Sequence, residues 1–267
     1  MMEKLFDSHA HYYDARFAQE TGSVDTLLTA LFADRVGYIV NIGTDIENSK
    51  VCIAQAARYE NMYCTVGIHP GDGQDYDDPD AALAALEALL GTPESRRAEK
   101  IVALGEIGLD YHYDDTDKEK QAYLFEKQLQ LAEKHGLPVI IHDREAHGDC
   151  FDAICRHEGL RGVFHSYSGS AEMAKDLCRR GWYVSFSGVA TFKNAPKVRE
   201  AIAVVPNDRI LIETDAPYLA PVPYRGKMNH SGYMRYTAEA VAAVKGIDTE
   251  EAIRLTAENA KRLFGIA

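Results

Sequence analysis

Basic side chains are in short supply. Lys and Arg number 29 against 41 Asp and Glu, giving a formal net charge of −12. A protein that grips duplex nucleic acid without regard to sequence relies on a basic footprint, so this balance excludes that class. Any nucleic acid must be held locally, by cations and a few Arg or Lys residues. Cysteine is sparse too. The five residues, at 52, 64, 150, 155 and 178, include no CxxC pair, and several fall in apolar helix or strand patterns. That points to buried free thiols rather than disulfides or a zinc knuckle. No apolar run approaches the length of a membrane span, and the first residues lack the apolar core of a secretory signal. A cytoplasmic protein with no membrane partner is therefore expected. Low-complexity tracts, linkers and repeats are also missing. With 46% apolar and 26% charged residues, the chain reads as an ordinary soluble globular protein, expected as a single domain over residues 1–267. No exposed apolar stripe stands out, so a monomer is expected.

Short, continuous apolar runs recur along the chain. The first, at residues 5–6, leads into Asp7-Ser8-His9-Ala10-His11; others follow at 37–43, 62–67, 100–105, 138–141, 162–164, 182–186 and 209–212. Helical periodicity fills the intervals at 24–36, 47–59, 81–90, 118–135, 150–157, 171–180 and 196–204, with two terminal helices at 233–245 and 249–263. Residues 71–80 read as a solvated acidic loop. Strands that are apolar on both faces suit a sheet covered by helices on one side and a packed interior on the other. Strand–helix alternation over this length predicts an α/β fold, a TIM-type (β/α)8 barrel, although an open doubly wound sheet would alternate in the same way.

Side chains alternate along a strand, so Asp7, His9 and His11 share a face and both imidazoles can reach one metal ion. Alone, such a pair is equally compatible with hydrogen-bonded core histidines. The later strands decide between these readings. In a barrel the C-terminal strand ends converge on one mouth. Five of the ten histidines (9, 11, 69, 142 and 165) fall at such ends, together with Glu106 and Asp215. The expected chemistry is a pair of divalent cations, one on His9, His11 and Asp215 and the other on His142 and His165, with the two oxygens of Glu106 bridging them. Asp7 sits deeper and is expected behind the ligands. The donor set suits Zn, Mn, Fe or Ni, and Mg if waters complete its shell.

This chain also carries a family's motifs. DSHAH (7–11), VGIHP (66–70), GEIGLDYH (105–112), VIIHDREA (139–146), FHSYSGS (164–170), SFSGVATFKNAPKVREA (185–201) and ILIETDAPYLAPVPYRGK (210–227) resemble the TatD family of metal-dependent deoxyribonucleases, within the amidohydrolase superfamily. The resemblance spans nearly the whole chain. It implies a TIM barrel with a dinuclear metal site that hydrolyses nucleic-acid phosphodiesters. His9, His11, Glu106, His142, His165 and Asp215 match the family's metal ligands, and His69 matches a histidine near the substrate phosphate. Where HCFSGS is common in the family this chain has HSYSGS, and where KRNEPAYV is common it has KMNHSGYM. Met228 and His230 thus replace a basic and an acidic residue, which puts substrate preference in question.

The roles follow from the chemistry. A water at the site is expected to attack phosphorus in line, with Asp215 as general base, Glu106 holding the reacting centre, and His69 stabilising charge on the phosphoryl oxygens. Arg144 and Arg225 follow ligand-bearing strand ends and either clamp a flanking phosphate or form surface salt bridges. Tyr111 and His112 either meet substrate or pack over the mouth. The expected partner is DNA, as single strands or frayed ends, cut exonucleolytically. The same ligands would equally serve an amidohydrolase-type hydrolase of a small amide or ester, or of aminoacyl-tRNA.

Overall fold

The computed structural model describes residues 3–267. Its strands are β1 (Leu5–Ala10), β2 (Val36–Ile42), β3 (Met62–Val66), β4 (Ile101–Asp110), β5 (Val139–Arg144), β6 (Gly162–Phe164), β7 (Tyr183–Phe186) and β8 (Ile210–Ile212). All eight belong to one sheet, in chain order. The registers of β1 with β2, β4 with β5 and β7 with β8 are parallel, as crossover helices require. A bridge from Ala10 to Ala216 sets the end of β1 beside the segment that follows β8. The fold is a TIM-type (β/α)8 barrel, as the alternation predicts. No helix among the described residues is long and apolar enough to cross a membrane.

Packing divides the chain into two compact units, one of residues up to Asn41 together with His165–Ala267, the other of Ile42–Phe164. In the first, every residue of β1 is buried. A helix at Thr249–Phe264 starts on the side chain of Asp248, which accepts from the Glu250 N–H, and stops at Gly265, whose φ of 66° suits glycine. It buries Ile253, Thr256, Asn259, Ala260 and Leu263 along one stripe. From that stripe the Asn259 amide donates to the carbonyls of Asn207 (2.8 Å) and Ile210 (2.9 Å), which anchors the start of β8.

The second unit uses the same device twice. The helix Lys118–His135 is capped by Asp117 and closed by Gly136, with Lys134 and His135 in its last turn, where the helix dipole favours cations. Among its buried apolar residues sit two buried amides. Gln121 accepts from the Asp110 N–H (3.0 Å) and donates to Pro70 O (3.4 Å). Gln128 accepts from the Ile68 N–H (2.8 Å) and donates to Ile68 O (3.0 Å). One helix thereby fixes the backbone on either side of His69 and at Asp110.

Several details depart from the sequence reading. The acidic loop at 71–80 is not simply solvated: Pro70–Gly73 is a helical turn with Gly73 buried. Tyr76 Oη accepts from the Ile46 N–H, and the Gln74 side chain accepts from the Asp117 N–H. Burial raises the Asp72 carboxyl although a hydrogen bond from Thr44 opposes it. Short helices at Ala15–Thr21 and Pro93–Ala98 carry no periodic stripe, each burying a single side chain, so only their caps (Asp14, Thr92) announce them. Strand β5 continues past His142 to Arg144, and β4 continues past Glu106 to Asp110. All five cysteines are free, with Cys52, Cys64 and Cys150 buried, as expected.

Gln128→Leu should leave the Ile68 N–H and C=O buried without partners, at about 1–3 kcal/mol for each orphaned group. Urea unfolding would measure it. A loss below about 0.5 kcal/mol would show that the amide does not hold this loop.

Candidate metal centre

In the first unit the end of β1 meets the segment after β8. His9 is fully buried, and its Nε2 lies 3.1 Å from Nε2 of His11. Asp215 Oδ1 is 3.3 Å from His11 Nε2 and 3.7 Å from His9 Nε2. The ring of His165 stacks on His9, centroids 4.0 Å apart and 9° from parallel. His9, His165 and Asp215 each present a ligand atom, all within 4.8 Å of one another. Burial alone would raise the Asp215 carboxyl. The hydrogen bond from His11 and the imidazoles of His9, His11 and His165 outweigh it and hold the group below the usual carboxylate range.

Asp215 is held by its neighbours. Its φ of 58° lies in the left-handed region, an uncommon conformation for a non-glycine residue that surrounding bonds must maintain. Those bonds converge on Asp7, which is fully buried. Asp7 Oδ1 accepts from the N–H groups of Thr214 (3.0 Å) and His9 (3.3 Å), and Oδ2 accepts from the hydroxyls of Thr214 and Ser231 (2.6 Å each). Burial pushes its carboxyl up to about 6 against the pull of these donors. Asp7 thus sits behind His9 and Asp215, bonded to the His9 N–H and to Thr214.

The second unit has its own group. Glu106 Oε1 is 2.7 Å from Nδ1 of His142 and 3.8 Å from Nε2 of His69. The rings of His69 and His142 meet edge to face at 4.4 Å. Nε2 of His142 is 3.0 Å from Asp110 Oδ2, and His69, Asp110 and His142 present three ligand atoms within 4.8 Å of one another. Burial raises the Asp110 carboxyl, but the His142 hydrogen bond and the His112 N–H more than offset it, leaving the group below its ordinary value. Gly108, at φ 145°, makes this crossing possible: a Cβ there would lie 1.9 Å from His142 O.

Two carboxylates went unnoticed in the sequence, Asp110 and Glu213. Glu213 is buried, 3.3 Å from His165 Nδ1, and accepts from the Ser166 N–H at 2.7 Å. Spacing could have pointed to Asp110, four residues after Glu106 on the same strand; Glu213 lies just past the end of β8 at Ile212, where strand alternation no longer applies. They stand behind His142 and His165 as a carboxylate stands behind a ligating imidazole, fixing which ring nitrogen carries the proton.

The expected substrate contacts are placed as follows. Tyr111 donates its hydroxyl to Asp149 (2.8 Å), with Lys118 Nζ 4.2 Å over its ring. The Arg144 guanidinium lies over Tyr113 (5.4 Å) and 4.0 Å from Asp110 Oδ2. Arg225 is exposed, 4.4 Å over Phe192. His69 Nδ1 accepts from the Gly71 N–H (3.0 Å), which leaves Nε2 toward Glu106. His112 pairs with Glu145 at 2.7 Å.

The family pattern described as "TatD related DNase" matches residues 6–265. The chain belongs to the TatD family. Among TatD-family relatives, the chain is 39% identical over 265 residues to "Uncharacterized metal-dependent hydrolase YabD" of Bacillus subtilis, covering 98% of this chain and 99% of that one. It is 37% identical over 266 residues to the YcfH metal-dependent hydrolase of Escherichia coli K12, covering 98% and 96%. The crystal structure of YJJV, a TatD homolog of Escherichia coli K12, superimposes with a TM-score of 0.88 at 31% identity over the full length of both chains. The protein is a metal-dependent hydrolase of this family.

Both donor groups fit divalent cations. Two imidazole nitrogens 3.1 Å apart that face one carboxylate oxygen are mutually repulsive lone pairs unless a proton or a cation lies between them. These imidazole–carboxylate groups are thus chemically suited to a divalent cation. Asp110→Asn keeps the shape but not the charge behind His142, and should weaken metal binding about 10–100-fold. Chelator competition on the purified protein would read this, and affinity unchanged within twofold would remove Asp110 from the centre.

Proposed function

We propose that this protein is a metal-dependent deoxyribonuclease, a single hydrolase domain that cleaves DNA phosphodiesters exonucleolytically at single-stranded or frayed ends. The observation that carries the proposal is the pair of imidazole–carboxylate groups at the ends of parallel strands, in a family described as related to a DNase. The ligand set read from the family's motifs assigns His9, His11 and Asp215 to one cation and His142 and His165 to a second, with Glu106 shared. Bound there, divalent cations supply Lewis-acid polarisation of the phosphoryl group and lower the pKa of water.

The protein's own groups do the rest. Asp215, whose Oδ1 lies 3.3 Å from His11 Nε2 and 3.7 Å from His9 Nε2, takes the proton of the attacking water on a carboxylate oxygen. His69 is oriented by the Gly71 N–H on Nδ1, so Nε2 is the atom that faces a phosphoryl oxygen. Arg144, stacked on Tyr113 at the exposed end of β5, suits a phosphate flanking the scissile one. The net charge of −12 disfavours a long duplex and leaves recognition to such local contacts.

Single-stranded oligonucleotides labelled at the 3′ or the 5′ end should be shortened in Mg²⁺ or Mn²⁺ and left intact in EDTA. The two labels give the polarity. Asp215→Ala should lower the rate by about 10²–10⁴-fold, the span for losing a general base, and Glu106→Ala should abolish turnover together with metal loading. A protein shown to hold its metals yet cutting no oligonucleotide would refute the proposal and redirect the search to amide, ester and aminoacyl substrates.

A further inference from the structure

Five large apolar side chains are exposed among the described residues: Val51, Tyr113, Tyr123, Tyr218 and Val222. Three are tyrosines, and their settings differ. Tyr123 spends its hydroxyl on Asp80, and Tyr113 lies under Arg144. Tyr218 stands three residues after Asp215, 48% exposed, with its ring edge-to-face against His11 at 6.3 Å between centroids. The Arg16 guanidinium carbon lies 4.2 Å from the centroid of that ring.

Both partners are held in place. Arg16 gives Nε and Nη2 to the two oxygens of Asp14, at 2.9 and 2.6 Å. The Tyr218 N–H donates to Asp215 O (2.8 Å), and Tyr218 O accepts from the Asn229 amide (2.8 Å). That amide also donates to Thr214 O at 2.9 Å, so one buried side chain clamps the segment on both sides of Asp215. A ring that folding leaves half in water, on a backbone this constrained and next to a candidate metal ligand, adds little to the core. It is positioned to meet something that comes to the site.

We propose that Tyr218, backed by Arg16, is a stacking platform for an unpaired nucleobase adjoining the scissile phosphate. The ligand class rests on the nuclease reading above. The platform also explains how an acidic protein can hold such a substrate. At −12 the chain gains little from long-range attraction to a polyanion, so affinity must come from short-range contacts. Stacking on an aromatic face is available to every base, but in a duplex both faces are already covered by neighbours. A single tyrosine platform therefore selects single strands and frayed ends without a basic groove.

The test separates stacking from cleavage. Metal-loaded protein is titrated with a short single-stranded phosphorothioate oligonucleotide that resists hydrolysis, followed by fluorescence anisotropy, with the label at either end. A matched oligonucleotide with abasic sites in place of its terminal nucleosides is run alongside. Tyr218→Ala should raise Kd for the intact oligonucleotide about 5–100-fold, the range for losing one base–aromatic stack, and should leave the abasic one unchanged. Tyr218→Phe should restore most of the loss, and Tyr123→Ala, on an outer helix, should cause none. Hydrolysis of the ordinary oligonucleotide should show the change in KM rather than in kcat. Equal Kd values for parent and Tyr218→Ala would overturn the platform even if cleavage is robust. So would a parent that binds intact and abasic strands equally. Tyr218-dependent binding without cleavage would keep the platform and refute the nuclease.

Discussion

A carboxylate removed from water must collect donors, and Asp7 shows what this requirement imposes. Its two oxygens take four hydrogen bonds, from His9, twice from Thr214, and from Ser231. Three of those bonds reach segments more than 200 residues away, so one buried charge joins the first strand to the end of the last. Thr214 is gripped on its N–H and its hydroxyl, and its carbonyl by Asn229. The residue that follows, Asp215, has no freedom left and takes a left-handed backbone conformation. Four bonds do not fully replace hydration, since the Asp7 carboxyl still rises to about 6. The protein accepts that cost, and what it fixes is the orientation of Asp215 beside His9 and His11.

The second unit reaches the same end with neutral groups. Gln121 and Gln128, one heptad apart on the helix Lys118–His135, turn their amides inward and bond to backbone near His69 and Asp110. An amide carries a donor and an acceptor, so it can satisfy both groups of one residue where a strand partner has run out. In both units the backbone beside the clustered imidazoles and carboxylates is itself held by buried side chains. That division matters because a metal ligand displaced by a fraction of an ångström forfeits much of its affinity.

The fold and the clustered imidazoles and carboxylates are legible in the sequence for one reason: strands buried on both faces read as uninterrupted apolar runs, and the polar residues that break them at their ends stand out. His9, His142, His165 and Asp215 are conspicuous for that reason. Asp110 and Glu213 are not, because GEIGLD and ETD look like one acidic group with a companion; strand alternation speaks for Asp110, on β4, and is silent on Glu213, which lies past the end of β8. The strand's length hid this as well: β4 runs to Asp110, where apolar pattern alone stops it at 105. The amides of Gln121 and Gln128 were illegible for a different reason. Glutamine in a helix reads as surface, and nothing local marks one that is turned inward. The acidic stretch after His69 misled in the same way, since charge density says little about whether a loop is pinned from elsewhere.

Charge ties the site to the surface. An excess of acidic residues repels the substrate proposed here at long range, yet the same sign is what gathers divalent cations, and each bound cation cancels two negative charges where the phosphate must sit. Attraction is thereby confined to the centre itself. On the proposed function a long duplex meets a chain of net negative charge, whereas a strand end that reached bound cations would gain its electrostatic benefit there. Exposed aromatic surface then has to hold what charge does not, and Tyr218, set by Asn229 and flanked by Arg16, stands where such a contact is needed. In the proposed function acidity, the imidazole–carboxylate groups at the strand ends and a half-exposed tyrosine act together: the first repels at long range, and the other two attract at contact.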